Sequence, residues 1–177
     1  MKTISAEAST LLVVDFQVRL MPVIENGAAA VANARRLLEA AALLSVPTLF
    51  TEQNAAGLGA TLPELSPDPS AVAHKMTFDA CRASGFFDML PDRPDVVLVG
   101  CEAHVCVLQT ALGLIDAGRR VFVVRDALGA RRAENKDTAL QRMERHGAEI
   151  VTTEMVVFEW LGTAHNPRFR ETVALIR

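Results

Sequence analysis

The chain has 177 residues, half of them hydrophobic, which is enough for one sizeable core and short for two, so a single domain over residues 1–177 is expected. A formal charge of −3 leaves no basic excess of the kind that nucleic acid or an anionic membrane surface demands, and a small-molecule substrate fits better. Three cysteines, at positions 81, 101 and 106, do not make a secreted disulfide framework, and the run 11–14 is too short for a signal-peptide core, so a cytoplasmic protein is expected. The longest apolar stretch, residues 40–50, is broken by Ser45 and Pro47 and falls short of the roughly 20 residues that cross a bilayer.

Residues 1–9 read as a polar lead-in. Residues 10–14, T-L-L-V-V, have the unbroken apolar character of a strand buried on both faces, and they end on Asp15, followed by Phe16, Gln17 and the turn-prone Met21-Pro22. In open α/β sheets, ligands bind beyond the carboxyl ends of the strands. Asp15 is thus a site candidate, although the same position suits a carboxylate that caps a turn.

From 28 to 45, Val31, Ala34, Leu38, Ala41 and Leu44 mark one face while Arg35, Arg36 and Glu39 lie off it, which predicts an amphipathic helix stopped by Pro47. A second strand over 48–51 carries Glu52-Gln53-Asn54 at its carboxyl end. Residues 54–70, with Gly57, Gly59, Pro63, Pro67 and Pro69, read as a loop bordering a site or a subunit contact. The brief apolar run 71–73 delivers His74 and Lys75, a lysine that either projects to water or joins Asp15. Residues 85–90 suit a short helix with Phe86, Phe87 and Leu90 packed under the sheet.

The central stretch is V-V-L-V-G-C-E-A-H-V-C-V-L-Q-T-A-L-G-L-I-D-A, residues 96–117. Its first four residues predict a buried strand, Gly100 permits a sharp turn, and Val105, Leu108, Leu112 and Ile115 then recur at helical spacing. Cys106 accordingly falls in the first turn of a predicted helix, where unsatisfied amides and the helix dipole favour thiolate and offer donors for an oxyanion. The pattern is equally that of a small buried residue packing helix onto sheet. A further strand over 121–124 ends in Arg125-Asp126, a helix over 135–146 is closed by Gly147, and a last strand spans 149–152. Phe158 and Trp160 lie in an apolar segment, and Asn166-Pro167 starts a final helix with Phe169, Val173 and Ile176 on one face. Strand and helix alternate throughout, which predicts α/β architecture: a mostly parallel sheet with helices on both faces.

Asp15, Lys75 and Cys106 fall after the first, third and fourth predicted strands. In that order and spacing, with G-C-E-A-H-V-C-V and L-L-V-V-D-F-Q, they resemble the cysteine hydrolases of the isochorismatase-like superfamily, over nearly the whole chain and closest to its small domains of unassigned substrate. The resemblance implies a Rossmann-like three-layer α/β/α fold with about six parallel strands. It implies Cys106 as nucleophile, Asp15 as the base that takes its proton, and Lys75 as the cation that orients the pair. It also implies a non-proline cis peptide at Cys101–Glu102, with Glu102, Ala103 and Cys106 in the turn that receives an oxyanion. Self-association as a homo-oligomer is implied as well. Cys81 and Cys101 read as buried filler.

Two departures narrow the chemistry. Nicotinamidases of this superfamily bind a metal through an Asp-x-His pair, whereas this chain has Thr51-Glu52-Gln53-Asn54, so neither a metal nor another cofactor is expected. True isochorismatases cleave a vinyl ether without a nucleophilic cysteine, so Cys106 favours acyl transfer to and from an amide or related C–N bond. Phe16, Met21, Phe78, His104 and Phe158 are expected pocket walls on positional grounds. Set against this reading are a binding or assembly module of the same fold with an oxidisable thiol, and isochorismatase-type ether hydrolysis.

Overall fold

The computed structural model describes residues 3–177. In chain order the regular elements are β1 (Ser9–Val14), α1 (Gly27–Leu43), β2 (Thr48–Gln53), α2 (Ala55–Leu58), β3 (Val72–Lys75), α3 (Phe86–Met89) and β4 (Asp95–Cys101). There follow α4 (Leu108–Asp116), β5 (Arg120–Gly129), α5 (Ala133–Arg145), β6 (Glu149–Val151), α6 (Thr153–Leu161) and α7 (Phe169–Ala174). The six strands form one sheet in the order β3-β2-β1-β4-β5-β6, and every neighbouring pair is parallel.

Alternation along the buried strands divides the core between two helix layers. Leu11 and Val13 of β1, Val97 and Val99 of β4, and Phe122 and Val124 of β5 pack with α1 and α6. Leu12, Val14, Val96, Leu98, Val121 and Val123 face the other way, toward α4 and α5. Both faces of the sheet are covered, which is why its strands are apolar throughout and not alternating. The result is a three-layer, Rossmann-like α/β sandwich.

The order of strands reverses between β1 and β4. At such a switch point the crossovers leave to opposite faces and open a crevice at the carboxyl ends. Gly100 lets the two strands meet there: its φ is +140°, Val14 is its partner in register, and a Cβ at this position would lie 2.2 Å from the Val14 carbonyl oxygen.

Several predicted boundaries shift. Lys75 is the last residue of β3, paired with Gln53, and not a residue beyond the strand. The strand expected over 121–124 continues to Gly129 because a register shift against β4, between Leu98 and Gly100, absorbs the Arg125-Asp126 segment. Asp126 then caps α6, its Oδ1 accepting from the Thr153 amide at 2.9 Å and hydroxyl at 3.0 Å. Phe86 and Leu90 are buried as expected, while Phe87 is exposed. Among the described residues no helix is long and apolar enough to cross a membrane.

At the amino end of the sheet, Arg120 of β5 grips Asp95 of β4 with two bonds, 2.7 Å from Nε to Oδ1 and 2.6 Å from Nη2 to Oδ2. Arg93 donates to the carbonyls of Ala6 and Ser9, and the Trp160 indole donates to the Ser9 hydroxyl. These bonds tie the strand starts to α6 and to the loop before β4.

Candidate active site

Asp15 leaves β1 with φ +50°, a conformation that aspartate tolerates better than most side chains. Its amide donates to the Thr51 carbonyl at 3.1 Å and its carbonyl accepts from the Gln17 amide at 2.8 Å, so the break in the strand is hydrogen-bonded on both sides. The carboxylate is wholly buried. Such a charge requires partners, and two strands supply them. Lys75 Nζ donates to Oδ2 at 2.7 Å and the Thr51 hydroxyl donates to Oδ1 at 2.6 Å.

Lys75 is equally enclosed, with its side chain 1% exposed. Besides Asp15, its ammonium reaches the carbonyls of Thr77 at 3.3 Å and Phe78 at 3.4 Å, so three N–H groups meet three acceptors. The segment carrying those carbonyls is fastened to α4: the Ala80 amide donates to the Thr110 hydroxyl at 3.0 Å. Gly113 makes room for it, since a Cβ there would stand 2.8 Å from the Asp79 carboxylate.

Cys106 lies across the switch point, 7% exposed, in a π-helical turn over Ala103–Val107 that precedes α4. The Glu102 carbonyl accepts from the amides of Val105 at 3.0 Å and Val107 at 3.3 Å, one on each side of Cys106. The Cys101–Glu102 peptide is cis. Asp15 and Lys75 both act on the Cys106 thiol, so the structure brings the three candidates together at one edge.

The charge state of that thiol differs from the sequence expectation. Burial and then the Asp15 carboxylate push the Cys106 pKa well above the ordinary thiol value, and Lys75 opposes them incompletely. The regular α-helix starts only at Leu108, three residues after Val105, where the predicted helical pattern began. Burial and Asp15 thus favour the protonated form of the Cys106 thiol, and its attack calls for a proton acceptor. Burial also raises Cys101 to about 12, and burial with the Asp79 charge raises Cys81 to about 12.

The turn residues and the expected pocket walls separate by environment. The Glu102 side chain is anchored to Arg131, whose Nε lies 2.9 Å from Oε2 and whose amide donates to the same atom at 3.2 Å. Ala103 is buried beneath the turn. His104 approaches Asn135 at 3.5 Å through Nε2, and its Nδ1 is buried without a protein partner among the described residues. Phe78 is half exposed beside Lys75.

Three expected walls are corrected. Phe16 is buried in the α1-side core, because the chain turning out of β1 carries it to the face opposite Cys106. Met21 packs against that same core at the start of α1, close to Gly27 and Ile24. Phe158 is on α6, exposed, directly before residues bound to the amino end of the fold: Glu159 accepts from the Ile4 amide, and Trp160 donates to Ser9.

Sequence reasoning missed the polar residues that hold this edge. Gln17 is fully buried, donates to the carbonyls of Gln53 at 3.0 Å and Gly59 at 2.6 Å, and accepts from the Gln53 amide at 2.9 Å. Glu52 accepts from the Thr61 amide at 2.6 Å and hydroxyl at 2.9 Å, while His74 stands 3.4 Å from its other oxygen. Together they clip the 54–62 loop to β2. A glutamine two residues after a strand-ending aspartate is the signal that could have found the first. Among the described residues no group of three or more His, Cys, Asp and Glu is arranged to hold a metal ion.

Residues 9–155 match the isochorismatase domain family. The chain is 40% identical over 148 residues to isochorismatase domain-containing protein 2 of Bos taurus, covering 83% of this chain and 72% of that protein. It is 34% identical over 175 residues to the protein of the same name in Danio rerio, covering 98% of this chain and 89% of the relative. A solved structure titled MAR1 ribonuclease from Caenorhabditis elegans superposes with a TM-score of 0.93 at 36% identity, over 98% of this chain and 92% of that one. The chain belongs to the isochorismatase family. That membership supports assigning it to the hydrolases.

Proposed function

We propose that the protein is a metal-independent cysteine hydrolase that cleaves an amide or related C–N bond of a small molecule through a thioester on Cys106. One observation carries the proposal: a wholly buried carboxylate paired with a buried lysine at 2.7 Å, both acting on the Cys106 thiol. A structural ion pair needs no thiol, and a structural thiol needs no ion pair.

The proposed cycle is balanced by one carboxyl group. Asp15 takes the Cys106 proton as Sγ attacks the substrate carbonyl, forming the C–S bond and a tetrahedral oxyanion. Backbone amides of the turn, that of Cys106 first, are the proposed oxyanion donors. The C–N bond breaks as the departing amine takes the proton from Asp15. Water then gives a proton to Asp15 and attacks the thioester, and the proton returns to Sγ as the acid leaves. Lys75 remains protonated and holds the carboxylate in place.

The Caenorhabditis elegans neighbour is titled a ribonuclease, and RNA is accordingly a control substrate. The negative formal charge of the present chain favours the small-molecule reading. A panel of small aliphatic and aromatic amides, assayed for ammonia release, tests it. Wild type is expected to turn over at least one class, and Cys106→Ala to fall to the uncatalysed rate. Amide turnover that survives Cys106→Ala, or RNA cleavage without amide cleavage, contradicts it.

A further inference from the structure

We propose that Thr51 is a positioning residue for the reaction, acting through Asp15 by a hydrogen bond that sets the plane of its carboxyl group. The inference rests on the reading of Asp15 as the proton carrier.

The torsion that turns a carboxylate about its Cβ–Cγ bond is soft. A single bond from Lys75 to Oδ2 leaves Oδ1 free to swing. Thr51 removes that freedom from a second strand, with its hydroxyl 2.6 Å from Oδ1. The hydroxyl is itself held firmly: Thr51 is β-branched, 1% exposed, and fixed by the bond from the Asp15 amide to its carbonyl at 3.1 Å. Lysine fixes one oxygen and threonine the other, so the plane of the carboxyl group is set by β3 and β2 together.

While Asp15 is ionised, Thr51 donates to one lone pair of Oδ1, and the carboxylate keeps others for the thiol proton. A proton bound for the leaving amine faces the site, so the hydroxyl goes on donating to Oδ1 and no heavy atom is displaced. The carboxyl group thus keeps one orientation through proton uptake from Cys106 and proton delivery to the leaving amine. Cys106 and the buried Cys101 thiol are the other titratable groups facing Asp15, besides Lys75.

Crystal structures and steady-state kinetics of Thr51→Val and Thr51→Ser test the inference. Valine keeps the shape of threonine and deletes the hydroxyl. The expected result is an Asp15 carboxylate rotated away from its present plane, with kcat lowered about tenfold or more and KM within about twofold, because only the proton transfer is misaligned. Thr51→Ser is expected to restore both the orientation and most of kcat. An Asp15 carboxylate that keeps its plane in Thr51→Val overturns the inference, as does a serine variant as slow as the valine one. A rotated carboxylate with unchanged kcat leaves Thr51 orienting Asp15 and instead refutes Asp15 as the proton carrier.

Discussion

The two ends of the sheet each bury an aspartate against a cation, and the pairs are built differently. At the amino end, Asp95 is held by the planar fork of Arg120, with one nitrogen on each oxygen. That geometry takes both oxygens with one planar partner and resists rotation. At the carboxyl end, Asp15 receives Lys75 on one oxygen and Thr51 on the other, beside a third group, the Cys106 thiol. Lone pairs remain on Asp15 beyond these two bonds, and the thiol stands beside them. The difference separates a charge that fastens two strands from one that stays available to a proton.

The largest expected effect breaks that comparison at Asp15. Asp15→Asn removes the acceptor for the thiol proton and is expected to lower kcat/KM by about a thousandfold. Asp95→Asn is expected to cost about 2 kcal/mol of stability, read from urea unfolding, with kcat of the folded enzyme unchanged. Equal kinetic losses in the two variants would mean that the two ends are not divided in this way. Lys75→Met strands a buried carboxylate, so a loss of about 3–5 kcal/mol in the same unfolding assay is expected together with loss of turnover. A stable and fully active Lys75→Met protein would remove the ammonium from the account.

The smallest effect concerns the resting thiol. Because burial and Asp15 raise the Cys106 pKa above the ordinary value of 9.0, its alkylation by iodoacetamide is expected to keep accelerating as pH climbs from 7 to 10. A plateau below pH 8, followed by mass spectrometry of the labelled peptide, would restore the standing thiolate that the helix-start pattern suggested.

That last contrast marks where the sequence stops being legible. Buried parallel strands announce themselves by unbroken apolar runs, so β1, β2 and β4 could be read directly, and with them the edge to which Asp15 and Cys106 belong. Gly100 and the helical spacing after it located the turn, but hydrophobic periodicity does not distinguish a π turn from an α-helix over five residues, and the two give Cys106 different surroundings. Thr51 was invisible as a functional residue because its role depends on register across strands far apart in sequence. The pocket walls failed for a related reason: Phe16 and Phe158 carry the same apolar signal in a core or on a remote surface as in a pocket. Only the faces of the sheet, fixed by packing, tell them apart.

The central claim is that a substrate carbonyl becomes bonded to Cys106 Sγ. Rapid acid quenching of enzyme with a turned-over amide, followed by intact-protein and peptide mass spectrometry, tests it most directly. The account predicts an added acyl mass on the Cys106 peptide of wild type, accumulating in Asp15→Asn only if acylation proceeds, and none on Cys106→Ala. Full turnover with no acyl mass on Cys106 at any quench time, or the same adduct on Cys81, would contradict it.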